Sequence, residues 1–320
     1  MSASLQRTTA LQYRALARLF AITLLCTGAG IAPTSAADTN SPIALRARYD
    51  TLQDRLNHNP FRRPLALDSS ETADGVAGSI HAIVVHPFAT VAAALQNPGR
   101  WCDILILHLN TKYCRAATTT PGEVLIVNIG KKFDQPLDES YRVDFAYRIA
   151  ARTPDYLQVR LNAATGPLGT SDYRIMLEVI PLEHGRTFIH LAYSYAYGVM
   201  SRLAMQAYLG TTGRDKVGFT VTGARADGRP LHIGGMRGAV ERNTMRYYLA
   251  IEAFLGALSR PLPAQLEKRL HDWFAATERY PRQLHEMEQD AYLDMKRREY
   301  RRQQAGQSAE FTGRLRMTAP

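Results

Sequence analysis

Tyrosines recur between residues 140 and 198 on segments whose apolar residues stand at every second position. A phenol combines a large apolar area with a hydroxyl that needs a hydrogen-bond partner when it is buried. Small-molecule sites are mostly apolar with a few such polar groups, so these residues are candidate ligand contacts. The alternative is that they pack a closed core, with their hydroxyls bonded to backbone or water. The five candidates are Tyr147, Tyr173, Tyr193, Tyr195 and Tyr197.

Signatures of catalysis and metal binding come close in two places and fail in both. The run His285-Glu-Met-Glu-Gln289 resembles the start of a zinc-protease helix, but glutamine stands where the second histidine is needed. Residues 210–216 have the composition of a phosphate loop without its spacing, which favours a turn. The sequence has no Gly-x-Ser-x-Gly elbow, and its nine histidines are scattered; His190 is expected on a sheet face. We therefore assign no catalytic residue, metal ligand or cofactor.

Four alternating segments must position the tyrosines. They lie at 141–150, 155–163, 173–179 and 189–197, and each places apolar residues on one face and polar residues on the other. Because successive side chains of a strand point to opposite faces, this pattern predicts an antiparallel sheet with one apolar face. Another part of the protein must pack against this apolar face.

Other segments supply candidate covers and further strands. Val76–Val85 is rich in β-branched residues and predicts the first strand. Pro87 opens a helix over 88–95, and 238–258 is the longest helical pattern of the domain. The apolar run at 102–109 fits either a helix or a strand. The remaining predicted elements are helices at 49–56 and 200–209 and strands at 124–129 and 217–221.

This order of elements, with Pro87-Phe88 through Trp101 and the helix at 238–258, resembles the START-like (SRPBCC) helix-grip superfamily over about residues 70–258. The superfamily includes lipid-transfer domains and polyketide cyclase-like proteins. The resemblance implies an α+β fold in which a curved antiparallel sheet wraps around a long C-terminal helix. It also implies a hydrophobic ligand between sheet and helix, and it carries no universal catalytic residues. The chain departs from the pattern in its N-terminus, in the segment 199–235 and beyond Pro261.

The first 36 residues predict a cleavable export signal. Arg7, Arg14 and Arg18 precede a short apolar core and a stretch of small residues. The core is shorter than the roughly 20 residues of a membrane-spanning helix, although a retained anchor is the alternative. We therefore expect a periplasmic or secreted protein. Cleavage would remove three arginines and no acids, lowering the formal net charge from +10 to +7. A moderate positive charge is weak evidence for nucleic-acid binding and in an exported protein favours an anionic membrane surface or solubility, so no nucleic-acid partner is expected.

Two cysteines remain after this cleavage, Cys102 and Cys114. An even count in an oxidising compartment predicts a disulfide between them. Two separate buried thiols are the alternative.

The composition changes after Pro261. Two amphipathic stripes separated by Pro281 predict a helical extension over 261–304. It either packs onto its own domain or makes peripheral contact with an anionic membrane, and its many acidic residues disfavour the membrane. The predicted organisation is a signal at 1–36, a lead-in at 37–69, a START-like domain at 70–260, the extension at 261–304 and a disordered tail at 305–320.

These observations favour an exported carrier that holds a hydrophobic small molecule or lipid between the sheet and the helix at 238–258. The alternative is a cyclase- or isomerase-like enzyme that uses tyrosines or His190 as general acids in the same cavity. A third interpretation is an envelope interaction protein with a filled core. No pattern in the sequence indicates an oligomeric state.

Overall fold

An eight-stranded antiparallel sheet dominates the computed structural model, which describes residues 41–198 and 216–317. In chain order the elements are α1 (Pro42–Thr51), α2 (Gln53–Asn57), β1 (Leu65–Glu71), β2 (Gly75–Val84), α3 (Phe88–Leu95), α4 (Pro98–Leu105), β3 (Thr111–Thr118), β4 (Glu123–Ile129), β5 (Tyr141–Thr153), β6 (Tyr156–Thr165), β7 (Thr170–Leu182), β8 (Arg186–Tyr197), β9 (Val221–Ala224), β10 (Pro230–His232), α5 (Gly235–Ala257), α6 (Leu262–Glu278), α7 (Pro281–Leu284) and α8 (Gln289–Met317). The sheet order is β1-β2-β8-β7-β6-β5-β4-β3, and β9 pairs with β10. The predicted α+β architecture, a curved sheet around a long helix, is confirmed.

The inner face of the sheet is fixed by the register of its central strands. Tyr147 on β5 pairs with Leu161 on β6. Leu161 in turn pairs with Ile175 on β7, and Ile175 pairs with Tyr193 on β8. Paired residues point to the same side of a sheet, so these apolar side chains form one continuous surface.

Helix α5 covers this inner face where β1, β2 and β8 lie side by side. Its approach is closest at Gly78 of β2, where an added Cβ would lie 2.5 Å from the Thr244 Oγ1 atom. Val240 and Leu249 of the helix are fully buried in the same core. Glycine is therefore required at position 78 for the helix to sit this close to the sheet.

The outer face of the sheet is partly covered by α1 and α2. Leu45, Leu52 and Leu56 are buried against Tyr156 and Phe188, which point outward from the sheet. Ser41 caps α1, because its hydroxyl accepts from the amide of residue 44 at 3.1 Å. The helix predicted at 49–56 is thus present as parts of two short helices.

Two strands, β1 and β3, lie outside the strands predicted from the sequence. Neither alternates cleanly: Leu65–Glu71 begins with three buried residues in a row, and Thr111–Thr118 buries Lys112 beside Thr111. Both are edge strands that pair on one side only. Their residues meet helices or loops in addition to a neighbouring strand, so the two-residue period is lost.

The strand predicted at 217–221 is wrong, since β9 begins only at Val221. The amides of Phe219 and Thr220 instead donate to the Oε2 atom of Glu241, at 2.6 and 2.9 Å. Because a buried carboxylate satisfies these amides, the segment needs no strand partner. The helix predicted at 200–209 and the export signal predicted at 1–36 lie outside the described residues.

The C-terminal extension packs onto its own domain. Leu270, Trp273 and Met295 from its apolar stripes are each at most 2% exposed. These stripes are therefore not available to a membrane surface. Across 41–198 and 216–317, no helix is both long enough and apolar enough to span a bilayer. Helix α8 continues through 305–317, a stretch predicted to be disordered.

Two buried lysines anchor α8 to strand β3. The Lys296 ammonium donates to Glu299 at 2.7 Å and to the carbonyls of His108 and Thr111 at 2.6 and 2.9 Å. The Lys112 ammonium donates to the other oxygen of Glu299 and to a backbone carbonyl, both at 3.0 Å, and lies 3.5 Å from a methionine sulfur. Each ammonium thus has three neighbours to which it can donate, as a buried charge requires.

A disulfide joins α4 to β3. Cys102 and Cys114 are bonded, with their Cα atoms 5.1 Å apart and both side chains fully buried. This confirms the predicted pairing. The run at 102–109, which the sequence left open between helix and strand, is helical as far as Leu105. The side chain of Asn97 caps this helix by accepting a hydrogen bond from the Gly99 amide at 2.8 Å.

Removing this disulfide should destabilise the protein. For the Cys102→Ser/Cys114→Ser double variant of the mature chain we expect the free energy of unfolding to fall by about 3 kcal/mol, because the unfolded chain regains the freedom of the closed loop. Urea unfolding followed by circular dichroism measures the change. In the wild type, alkylation without prior reduction should leave the mass unchanged, and modification of both cysteines would contradict the bond.

Candidate functional site

The five predicted tyrosines lie together on the inner face. Each is less than a tenth exposed. The Tyr173 and Tyr195 rings stack at 5.3 Å between centroids, and Tyr193 lies 5.7 Å from Tyr195. Tyr197 continues the row at 6.3 Å from Tyr195, whereas Tyr147 contacts the end of α3. The alternation read from the sequence thus gave the correct face for all five.

The hydroxyls of three of these tyrosines have partners within the fold. Tyr147 donates to the Leu95 carbonyl at 3.2 Å. The Tyr173 hydroxyl bonds the Thr170 hydroxyl at 2.7 Å. Tyr197 reaches the backbone of the β1–β2 turn, including the residue 72 carbonyl at 3.2 Å. These three contacts are what core packing requires, because a buried hydroxyl needs a partner.

A second group, which we call the central tyrosines, consists of Tyr193, Tyr195 and Tyr247. Tyr247 comes from α5, and its ring lies 5.4 Å from that of Tyr193. Within the described residues, none of the three hydroxyls has a hydrogen-bond partner. Burial raises the pKa of all three phenols above the ordinary value, so they stay protonated and can donate. The three rings therefore supply apolar surface, and their hydroxyls are donors that no described residue uses.

Tyr247 was not among the predicted site residues. It lies on a helix rather than on an alternating strand, and its apolar neighbours gave it no distinct signal. The helical period over 238–258 does place residues 240, 244 and 247 toward one side, so the contact was accessible in principle.

Charged residues adjoin the central tyrosines, and no pattern in the sequence indicates them. The His108 ring stacks on Tyr247 at 4.8 Å. We define the cationic cluster as Lys132, Lys216 and Arg246, which all contact the Glu286 carboxylate. Its three members and Glu286 come from four separate segments of the chain, so no local spacing could reveal it.

His190 lies on the outer face, away from the tyrosines. It pairs with His81 and with Glu178 across neighbouring strands, and its Nδ1 lies 2.9 Å from a Glu178 oxygen. Because His190 and Tyr193 are three residues apart on one strand, they must point to opposite faces. The hypothesis that His190 acts as a general acid in the tyrosine cavity is therefore wrong.

The outer-face network is buried and densely bonded. Tyr156 donates to Glu178, and Gln158 donates to the same carboxylate at 3.1 Å. Burial disfavours the Glu178 carboxylate, but its bonds with His190 and Tyr156 hold its pKa below the usual value. The His81 ring stacks on His190 at 4.2 Å.

Two pockets are lined by described residues, and the lining of one of them includes the central tyrosine Tyr195. One of about 420 Å³ lies between α4 and α8, beside Arg100, Asp103 and Tyr300. Another of about 250 Å³ lies at one end of β1 and β2, beside Thr72 and Arg174. Across 41–198 and 216–317, no group of three or more histidine, cysteine or acidic side chains is placed to hold a metal ion.

The comparisons with known proteins concern the fold. No protein-family model matches the sequence, and no curated protein matches it either. Similar solved structures include a point mutant of norcoclaurine synthase from Thalictrum flavum bound to a transition-state analogue, at 13% identity over 45% of this chain and 89% of that one, with a TM-score of 0.32. A START superfamily protein from Mycobacterium smegmatis is 12% identical over 44% and 90% of the chains, with a TM-score of 0.30. The human StarD13 lipid transfer and protein localization domain is 8% identical over 45% and 76%, with a TM-score of 0.29.

A START superfamily structure is thus among the solved structures to which this chain is similar, over about half of its length, in agreement with the resemblance found in the sequence. Sequence identities and TM-scores this low say nothing about the ligand or the activity of this chain. Both must be argued from its own residues.

Loss of the hydroxyl should lower the stability of the protein at a tyrosine whose hydroxyl is hydrogen-bonded within the fold, but not at a central tyrosine. Tyr147→Phe removes a bond to a buried carbonyl, and we expect the free energy of unfolding to fall by about 1 kcal/mol. Tyr193→Phe and Tyr195→Phe remove hydroxyls without a protein partner, so stability should stay equal or rise slightly. Urea unfolding of the three single variants measures the difference. Equal losses in all three would contradict the division.

The buried histidine of the outer face should make the protein sensitive to acid. Burial lowers the pKa of His81 to about 2, so in the unfolded state it takes up a proton near its ordinary value and in the folded state it does not. Stability is therefore lost as the pH falls through the unfolded value of about 6.5, with about 2 kcal/mol lost between pH 7 and 5. His81→Phe should remove this part of the loss.

The measurement is urea unfolding of wild type and variant at both pH values. His108, whose pKa is also held low, contributes equally to both proteins and cancels in the comparison. An identical pH dependence in wild type and variant would show that His81 is not buried as a neutral side chain.

Proposed function

We propose that this chain is an exported protein that binds a hydrophobic small molecule or lipid between the inner face of the sheet and α5. The observation that carries the proposal is the group of central tyrosines. Their rings meet from β8 and α5, and their hydroxyls have no partners among the described residues.

The energetics of buried hydroxyls support a ligand at this place. Three hydroxyls without a partner among the described residues leave hydrogen-bond donors beside apolar rings, and a core that only packs gains nothing from them. A ligand with a polar atom would accept from these donors. Its apolar surface would add roughly 25 cal/mol for each Å² removed from water, before the costs of association.

Export is supported by two features of the chain. The first 36 residues have the charge and apolar pattern of a secretion signal. The Cys102–Cys114 bond is of the kind that persists in oxidising compartments. A periplasmic or secreted carrier fits both.

The enzyme alternative has little support in the geometry. Its histidine, His190, lies on the other face of the sheet. The phenols of Tyr193 and Tyr195 hold their protons more tightly than usual, which suits hydrogen-bond donation and disfavours proton transfer.

Binding can be tested on the purified mature chain with a single uncharged probe. Native mass spectrometry should show a one-to-one adduct with decanol, whose hydroxyl can accept from the tyrosines, and organic extraction of the protein as purified should release a lipid or similar molecule. The Tyr193→Phe/Tyr195→Phe variant should bind decanol about fivefold more weakly, the value of one or two modest hydrogen bonds. Calorimetric titration measures this ratio.

Tyr147→Phe is the matched control, because its hydroxyl is used by the fold and its affinity for decanol should not change. Absence of both an extractable molecule and a decanol adduct would contradict the carrier. That result would favour an interaction protein with a filled core.

A further inference from the structure

We infer that the ligand is an amphiphile with an anionic head group, a phosphate or carboxylate, held by the cationic cluster beside the central tyrosines. The inference rests on the proposed hydrophobic ligand and assigns the chemistry of its polar end.

The cationic cluster gathers three positive side chains around one carboxylate. Lys132 Nζ lies 2.5 Å from one Glu286 oxygen, and Arg246 Nη2 lies 2.7 Å from the same atom. Lys216 Nζ lies 3.4 Å from the other oxygen. One negative charge therefore faces three positive ones, in a place where Arg246 is 1% and Glu286 10% exposed.

Such an excess is costly unless something else balances it. Like charges that are removed from water repel strongly, and burial beside Arg246 lowers the pKa of Lys132 to about 8. If the cluster served only to neutralise the Glu286 carboxylate, fewer than three cations would be enough. An anion added to the cluster would remove the repulsion.

Two buried donors at this place are unused. Arg246 Nε has no hydrogen-bond partner among the described residues, and neither has His108 Nε2. The His108 Nδ1 atom accepts from the amide of residue 110 at 3.1 Å, and the pKa of His108 is held well below its usual value, so the neutral ring carries its proton on Nε2. Both atoms can therefore donate to an anion.

The anchor of α8 shows what a purely structural arrangement looks like. Lys112 and Lys296 also share one carboxylate, Glu299, but each ammonium has three neighbours to donate to. Lys132 has one such acceptor among the described residues, the Glu286 carboxylate. Lys216 also donates to the His285 carbonyl at 2.7 Å, and Arg246 Nη2 donates to the Leu284 carbonyl at 3.2 Å. The unused donors of the cluster are therefore on Lys132 and at Arg246 Nε, whereas the anchor is complete.

The position of the cluster fits the head of a bound amphiphile. Arg246 precedes Tyr247 on α5, and the Tyr247 ring contacts both Tyr193 and His108. Burial lowers the pKa of His108, and the positive charges of Arg246, Lys296, Lys132 and Lys112 lower it further, so both the cationic cluster and the anchor of α8 lie near this ring. A tail lying along the central tyrosines would bring a head group to these donors. Arginine and lysine together suit phosphate and carboxylate oxygens.

The test compares ligands that share a tail and differ in the head. Calorimetric titration of the mature chain uses decyl phosphate, decanoate, decanol and inorganic phosphate. We expect both anionic amphiphiles to bind about tenfold or more tightly than decanol, the value of one charge-assisted hydrogen bond, and inorganic phosphate to bind far more weakly than decyl phosphate.

A variant with fewer positive charges tests whether the cationic cluster causes the preference for anionic amphiphiles over decanol. Lys132→Gln/Lys216→Gln changes two partly exposed lysines and leaves buried Arg246 in place. Decyl phosphate should then bind no more than about threefold better than decanol, while decanol affinity is unchanged. Lys268→Gln is the control: this lysine pairs with Asp272 on α6, and its loss should leave all affinities unchanged.

The outcomes separate this inference from the proposed carrier. Equal affinity for decanol and the two anionic amphiphiles would overturn the anionic head group and leave the carrier standing. Inorganic phosphate binding as well as decyl phosphate would show a site for free anions and overturn the inference. A preference that survives in the lysine variant would also overturn it. Failure of every ligand would overturn both proposals.

Discussion

The structure depends on the strict two-residue alternation of the central strands. Along β5 to β8 every second side chain enters the core, and the register joins these positions into one apolar surface. A slip by one residue would turn residues such as Arg174 and Glu178 of β7 toward the core and the apolar residues toward the outer face. Helix α5 can approach that surface because Gly78 leaves room for Thr244. The position of the candidate site follows from this one constraint.

The same alternation gives the two faces of the sheet different chemistry. The inner face carries neutral phenols, whereas the outer face carries Glu178 with His81 and His190. The outer network satisfies its carboxylate completely and is covered in part by α1 and α2. The inner face leaves hydroxyls and cationic donors unused. His81 Nδ1 on the outer face also lacks a partner within the described residues, but the inner face places unpartnered hydroxyls near buried donors such as Arg246 Nε, a combination that a ligand could complete.

Sequence periodicity predicted the elements that obey it and missed those that do not. The helix at 88–95 and the four alternating strands were predicted within a few residues, because one repeated contact with the core sets their pattern. Edge strands β1 and β3 carry no such repeat, since their outer neighbours are helices and loops. His190 was misplaced although its spacing from Tyr193 already assigned it to the other face. The cationic cluster could not be predicted from the sequence, because Lys132 and Glu286 are distant in the sequence and meet only in the folded chain.

The chemistry of the inner site favours holding a molecule over transforming it. Proton transfer at neutral pH needs a group whose pKa lies near 7. Burial moves the phenols of Tyr193 and Tyr247 upward and the imidazole of His108 downward, so neither kind of group changes its charge there. The other groups are the cations around Glu286, among which burial lowers the pKa of Lys132 to about 8, toward the neutral range. The phenols, the neutral imidazole and Arg246 act as fixed donors. Fixed donors beside an apolar wall recognise a ligand by its shape and charge, and they complete their own hydrogen bonding when it is bound.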